Sequence, residues 1–216
     1  MSKRLSKGEI LWLQRLWASE SFYNGKLDGL WGPQTEQAEQ RYTAEARHLR
    51  ELYGEQDSRT ERNILSMSIS AQSYARQMHR RIIAAGFDAK IISGTRTFDE
   101  QEIIYATGRR GIPGERIISY AKPGHSYHNY GQAWDYALFN GREYIDGDTR
   151  EELEMYDAMA QTVADWWEPP NSPVRWGGQW TRKDRPHFQL NLGVRATTLV
   201  PYFEQGQLYQ VLAKAA

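Results

Sequence analysis

The stretch "GHSYHNYGQAWDYALF", Gly124 to Phe139, sets two histidines, a glycine and an aspartate directly against an apolar run. The run from about Gly131 to Phe139 reads as a β-strand, and Asn140-Gly141 behind it as a turn. His128 precedes Asp135 by seven residues with Gly131 between them. A turn can therefore carry a histidine at the strand's mouth back over an aspartate on the strand. One local unit then supplies two candidate metal ligands.

A third candidate is His187 in "KDRPHFQL", where Pro186 removes a ladder donor and suggests the start of another strand. Two histidines and one carboxylate leave a fourth position open for water, the arrangement of hydrolytic zinc sites with His N and carboxylate O at about 2.0–2.2 Å. Asp184, three residues before His187, is placed to reach that water. The same ligand types also serve the non-haem iron oxygenases, although their first histidine and acid usually stand two apart. The spacing of His128 and Asp135 also arises by chance, so residue types alone leave three readings open. The chain has no Cys, which excludes disulfides, thiolate ligands and a cysteine nucleophile together.

Outward from this centre the pattern alternates helices and strands. Ala71, Ala75, Met78 and Ile82 form one helix face, Gly86 is a plausible C-cap, and "FDAKIIS" reads as a strand. His79 on that helix reads as a surface or packing residue. Thr97 and Glu100 have capping-box spacing, which opens a helix to about Thr107 and places Arg96 on the turn before it. Residues 108–128 form a long loop rich in Gly, Pro and basic residues. A helix around 149–167, the Pro-broken "EPPNSP" and the strand "HFQLNL" follow. The expected class is α+β, a mostly antiparallel sheet flanked by helices, with a small helical segment in front.

That segment shows Ile10, Leu13, Leu16 and Trp17 at helical spacing, then "YNGKLDGLWGPQT" with its turns and a second helix. From Thr43 to Asn63 charges crowd in, as on a solvated helix or linker. The expected organisation is a helical module over 1–45, a charged linker or helix over 46–63, and the catalytic domain over 64–216. Lys3, Arg4 and Lys7 ahead of "ILWLQRLWA" imitate a signal peptide until Gln14 and Arg15 interrupt it, so an amphipathic helix is expected there.

The 216 residues are 40% hydrophobic, with eight Trp and thirteen Tyr, which excludes a disordered chain. Lys plus Arg and Asp plus Glu both count 27, so no global charge draws the chain to nucleic acid. No apolar run approaches the roughly eighteen residues of a spanning helix, and no membrane insertion is expected.

Three of these motifs together resemble a known family. "SYHNYGQAWD" resembles the S-x-H-x-x-G-x-A-x-D signature of the zinc peptidases that include D-alanyl-D-alanine carboxypeptidases and L-alanyl-D-glutamate endopeptidases, matching at Ser126, His128, Gly131, Ala133 and Asp135. "DRPHF" resembles the family's second signature, and "SGTRTFDEQ" its arginine-bearing segment. "AKPGHSYHNYG" and "RWGGQW" match the wider surroundings, and the likeness runs over about 64–195. The resemblance implies Zn²⁺ on His128, Asp135 and His187, Asp184 as general acid and base, and Arg96 facing an oxyanion or a substrate carboxylate. Trp134 departs from the family pattern, which usually has a smaller aliphatic residue there, and His125 occupies a variable position and reads as a loop residue.

The front segment resembles the small three-helix peptidoglycan-binding module of cell-wall hydrolases, through Leu13-Gln14, Tyr23, Gly25, Asp28-Gly29, Gly32-Pro33 and Thr35. The same punctuation also suits a helical hairpin of the main domain. Together the resemblances imply a monomeric, endolysin-like enzyme with bacterial peptidoglycan as partner, kept in the cytoplasm until released. The bond they favour is L-Ala-D-Glu. The alternatives are a D-alanyl-D-alanine carboxypeptidase, a non-catalytic wall-binding protein, or the iron oxygenase.

Overall fold

The computed structural model describes residues 5–208 and residue 210; Lys3, Arg4 and the end of the 64–216 range lie outside them. The described residues form seven α-helices and one antiparallel sheet, the α+β class expected. Among them no helix is long and apolar enough to cross a membrane. In chain order the elements are α1 (Lys7–Ser19), α2 (Pro33–Tyr53), α3 (Ser58–Leu65), α4 (Ile69–Ala84), β1 (Ala89–Ser93) and α5 (Phe98–Ala106). A 3₁₀ turn (Tyr127–Tyr130), β2 (Ala133–Asn140), β3 (Glu143–Ile145), α6 (Arg150–Gln161), β4 (Val174–Trp176), β5 (His187–Leu190) and α7 (Ala196–Glu204) follow, with short 3₁₀ turns at Ala164–Trp166 and Gly177–Gln179. The chain divides into two compact units, one of Met1–Ala46, Arg96–Gly131 and Leu192–Ala216, the other of Arg47–Thr95 and Gln132–Asn191.

The second unit holds the whole sheet, in the order β1-β2-β5-β4, with β3 also on β2. Side chains alternate between the two faces of a strand. One face is aromatic: Trp134 stands opposite Phe188, which stands opposite Trp176. The rings stack at 6.3 Å and 12°, then at 6.3 Å and 22°, and Trp167 closes on Trp176 at 4.8 Å. Such pairs contribute about 0.5–1.5 kcal/mol each beyond area burial. Trp134, fully buried, is thus a core residue. The opposite face carries Asp135 and Ala133 on β2, across from His187 and Gln189 on β5.

Helix α4 is capped by the Ser68 hydroxyl, which accepts from Ala71 N, and it buries Ala71, Ala75, Met78 and Ile82 as the periodicity predicts. It is tied to α3 by a buried fork in which Arg76 Nη1 and Nη2 donate to the two Glu61 oxygens at 2.7 and 2.8 Å. The β1–β2 register shifts between Ile91 and Ser93, a bulge that ends with Ser93 opposite Asp135. Bulges are concentrated beside active sites, where they re-aim a strand.

In the first unit, α1 opens with a capping box between Ser6 and Glu9. Its buried Gln14 organises the following loop: Nε2 donates to Leu30 O (3.0 Å), Thr35 Oγ1 (3.2 Å) and Asp28 Oδ1 (3.4 Å), while Oε1 accepts from Asp28 N (3.1 Å) and Gly29 N (2.9 Å). The same helix packs on the far end of the chain. Trp12 lies 5.7 Å from Phe203 of α7, and Leu208 N donates to Ser19 Oγ.

His79, 2% exposed, packs its ring flat on Tyr136 at 5.9 Å and 12°, which settles it as a packing residue. Burial pushes its pKa down from the usual 6.5 to about 4, against the opposing pull of Asp57 and Glu61. The folded chain therefore holds the ring neutral, while the unfolded chain takes up a proton first as the pH falls. This contribution is intact above pH 6.5, is lost between 6.5 and about 4, and then levels off. At roughly 1.4 kcal/mol per unit the loss is about 3 kcal/mol. Thermal melting from pH 7 to pH 4.5 should fall more steeply for the native chain than for His79→Phe. Parallel profiles would exclude this role.

Candidate metal centre

His128 sits in the 3₁₀ turn immediately before β2, and side chains hold that turn from several directions. Asn129 Oδ1 accepts from Gly124 N (3.0 Å), and its Nδ2 donates to Arg96 O (3.0 Å) and Thr97 O (3.4 Å). The Asn129 carbonyl in turn accepts from the Trp12 indole at 3.1 Å. Tyr130 Oη donates to Gly124 O at 2.8 Å, and Tyr127 Oη donates to Val194 O. Gly131 then leaves the turn at φ +69°, a left-handed conformation that side-chain-bearing residues seldom adopt. This is the bend read from the sequence between His128 and Asp135.

Asp135 and His187 form one rung of the β2–β5 ladder on the non-aromatic face. Asp135 Oδ1 lies 3.0 Å from His187 Nδ1, and Gln189 Oε1 lies 3.0 Å from His187 Nε2. The Trp180 ring is 5.0 Å from the imidazole and is 36% exposed, whereas Trp176 is in the core. Burial alone would push the His187 pKa down; the hydrogen bond and charge of Asp135, with Asp184 and Gln189, outweigh it and raise it.

Ligand atoms of His128, Asp135 and His187 all lie within 4.8 Å of one another, with both histidines buried and Asp135 partly so. Two imidazoles and a carboxylate are the donor set of hydrolytic zinc sites, whose donors stand about 2.0–2.2 Å from the ion. The residues present therefore fit a zinc ion.

Asp184 is exposed and does not belong to the converging set. Its backbone N donates to Gly177 O at 3.0 Å, and its carbonyl accepts from His187 N at 3.1 Å. A Cβ on Gly177 would stand 2.4 Å from the Asp184 carbonyl oxygen and 3.2 Å from the His187 Cβ, so only glycine admits this close approach. Arg96 is half-buried just before Thr97, the α5 N-cap, whose capping box with Glu100 is present as predicted. Its backbone N donates to the His128 carbonyl at 3.1 Å, which ties the two segments together. His125 is an exposed loop residue whose N donates to Lys122 O. Sequence reasoning missed Gln189, and the available signal was its position two residues beyond His187 on a strand.

Residues 120–190 match the sequence model of a family described as D-alanyl-D-alanine carboxypeptidase. The chain is 38% identical over 110 residues to the peptidoglycan L-alanyl-D-glutamate endopeptidase CwlK of Bacillus subtilis (strain 168), which covers 49% of this chain and 62% of CwlK. It thus spans less than two thirds of that relative's length. A crystal structure of the Serratia marcescens L-Ala D-Glu endopeptidase ChiX aligns with 64% of this chain and 90% of its own, at 20% identity and a TM-score of 0.42.

Equilibrium dialysis with Zn²⁺ tests the centre. The native chain should bind one ion, and His128→Ala, Asp135→Ala and His187→Ala should each bind far more weakly, because two donors hold the ion poorly. Undiminished binding by any of the three would remove that residue from the set.

Proposed function

We propose that the chain, whose residues 120–190 match the sequence model of a D-alanyl-D-alanine carboxypeptidase family, is a zinc peptidase that hydrolyses the stem peptide of bacterial peptidoglycan at the L-Ala-D-Glu bond. The observation that carries this reading is the convergence of His128, Asp135 and His187 on one patch beside the chemistry-bearing face of the sheet. The name of CwlK, with 110 aligned residues, supports this bond over the carboxypeptidase reaction. The family match likewise favours a peptidase over the oxygenase that a two-histidine, one-carboxylate set would also suit.

His128, Asp135 and His187 would hold the ion, which when bound supplies a Lewis acid and a water acidified toward neutrality. Asp184, exposed at the mouth of β5, accepts the proton of the attacking water and returns it to the leaving amine. Such transfers are worth roughly 10² to 10⁴ in rate. Arg96 carries a fixed positive charge and a planar fork of donors, suited to the developing oxyanion or to a substrate carboxylate. Trp180, partly exposed beside His187, offers a flat wall to the substrate.

The helices of residues 1–45 are proposed to hold the chain on the wall. Supporting this are Leu30 and Trp31, 62% and 40% exposed on the loop that Gln14 braces. Tethering of this kind raises local concentration without altering the chemistry. The double variant Leu30→Ser, Trp31→Ser should co-sediment less with sacculi and still cleave a soluble muropeptide. Full retention would remove the wall-binding role.

Digestion of purified sacculi, with products read by mass spectrometry, tests the bond. The native chain should release peptides with a new N-terminal D-Glu and leave L-Ala on the muramic acid. Release of D-Ala without new D-Glu amines would identify a carboxypeptidase instead. Asp184→Ala should keep bound Zn²⁺ and lose turnover by about 10²-fold or more, as removal of a general base does. A metal-free or fully active Asp184→Ala would remove its assigned role.

A further inference from the structure

His187 has both ring nitrogens engaged, and each engagement comes from a different strand. Nδ1 faces Asp135 of β2, the partner across the ladder, and Nε2 faces Gln189, two residues further along β5 on the same face. We propose that Gln189 is a positioning residue for the metal centre: its side-chain carbonyl holds the Nε2–H of His187, so that Nδ1 is the nitrogen turned to the ion beside Asp135. The assignment rests on the zinc-peptidase reading above.

An imidazole binds a cation through an unprotonated nitrogen, and the hydrogen bond made by the other nitrogen selects which one that is. An amide oxygen is an acceptor only. At 3.0 Å from Nε2 it favours the tautomer that keeps the proton there and leaves Nδ1 bare. The amide is also uncharged, so it orients the ring without adding a third carboxylate near Asp135 and Asp184. Gln189 is 8% exposed, which shields this hydrogen bond from exchange with water.

The neighbours explain why the amide can lie there. Gln189 pairs across the ladder with Ala133, and directly opposite Cβ atoms stand about 4.5–5.5 Å apart. The Ala133 methyl leaves room for the glutamine to fold back along its own strand, where a longer side chain would occupy that space. Trp180 closes on the imidazole at 5.0 Å. The ring is thus located by a carboxylate, an amide and an indole.

The test uses the full chain loaded with Zn²⁺, as native protein, as Gln189→Met and as Gln189→Glu. Methionine keeps the length and removes the acceptor; glutamate restores it. Groups that orient a metal-bound histidine typically change metal affinity by about 10- to 100-fold when removed. Chelator competition should show a weakening of that size for Gln189→Met and rescue by Gln189→Glu, with both variants melting cooperatively. Long-range ¹H–¹⁵N spectra of the native zinc form should show His187 protonated at Nε2 and metal-bound at Nδ1. Native-like affinity in Gln189→Met, or metal bound at Nε2 of His187, would overturn the assignment and leave the peptidase reading standing. A native chain that takes up no zinc would overturn both. The native spectrum needs no substitution, so the assignment stays testable even where a variant fails to fold.

Discussion

The register between β2 and β5 is the constraint on which the rest depends. It sets Trp134 against Phe188 on one face and Asp135 against His187 on the other. Because strand side chains alternate strictly, a slip of one residue would turn one strand's aromatic rings outward and separate Asp135 from His187. The buried stack of Trp134, Phe188 and Trp176 makes that slip costly. The chemistry of one face is held in place by the packing of the other. This also answers why so many polar groups adjoin so apolar a run: they are the two sides of one strand and the turn that feeds it.

Much of this was legible in the sequence. The Thr97–Glu100 box, the buried stripe of α4 and the glycine bend between His128 and Asp135 are local, set by residues within a turn or two of one another. The convergence of His128, Asp135 and His187 was legible because three motifs occur together in one order, even though His187 lies 52 positions from Asp135. The unread features are those that depend on distant partners. β3 and β4, three residues each, are too short for periodicity to register. The charge-rich stretch to Asn63 reads as solvated, yet it forms the end of α2 and most of α3, and Glu61 within it is buried against Arg76, fifteen residues away. A charge count cannot distinguish a solvated glutamate from one held in a fork.

The grouping of residues 1–46 with 96–131 and 192–216 is of the same kind. No pattern in the first helix says that Trp12 will donate to the Asn129 carbonyl, 117 positions on, or that its ring will meet Phe203. The turn that carries His128 is thus braced by the indole of the first helix. A helical hairpin that resembles a separate module is, within this unit, also part of the scaffold of the candidate centre, and the two descriptions are compatible.

Gln14 shows what such economy entails. The loop from Asp28 to Thr35 takes its shape from a single side chain that donates and accepts at once. Glutamate there would retain the acceptors and lose the donors, leucine would lose both, and asparagine would fall short by a methylene. None of these replacements keeps both the donated and the accepted bonds. Position 14 is therefore a cliff in this hairpin: each of them strips the loop of donors, acceptors or both in one step.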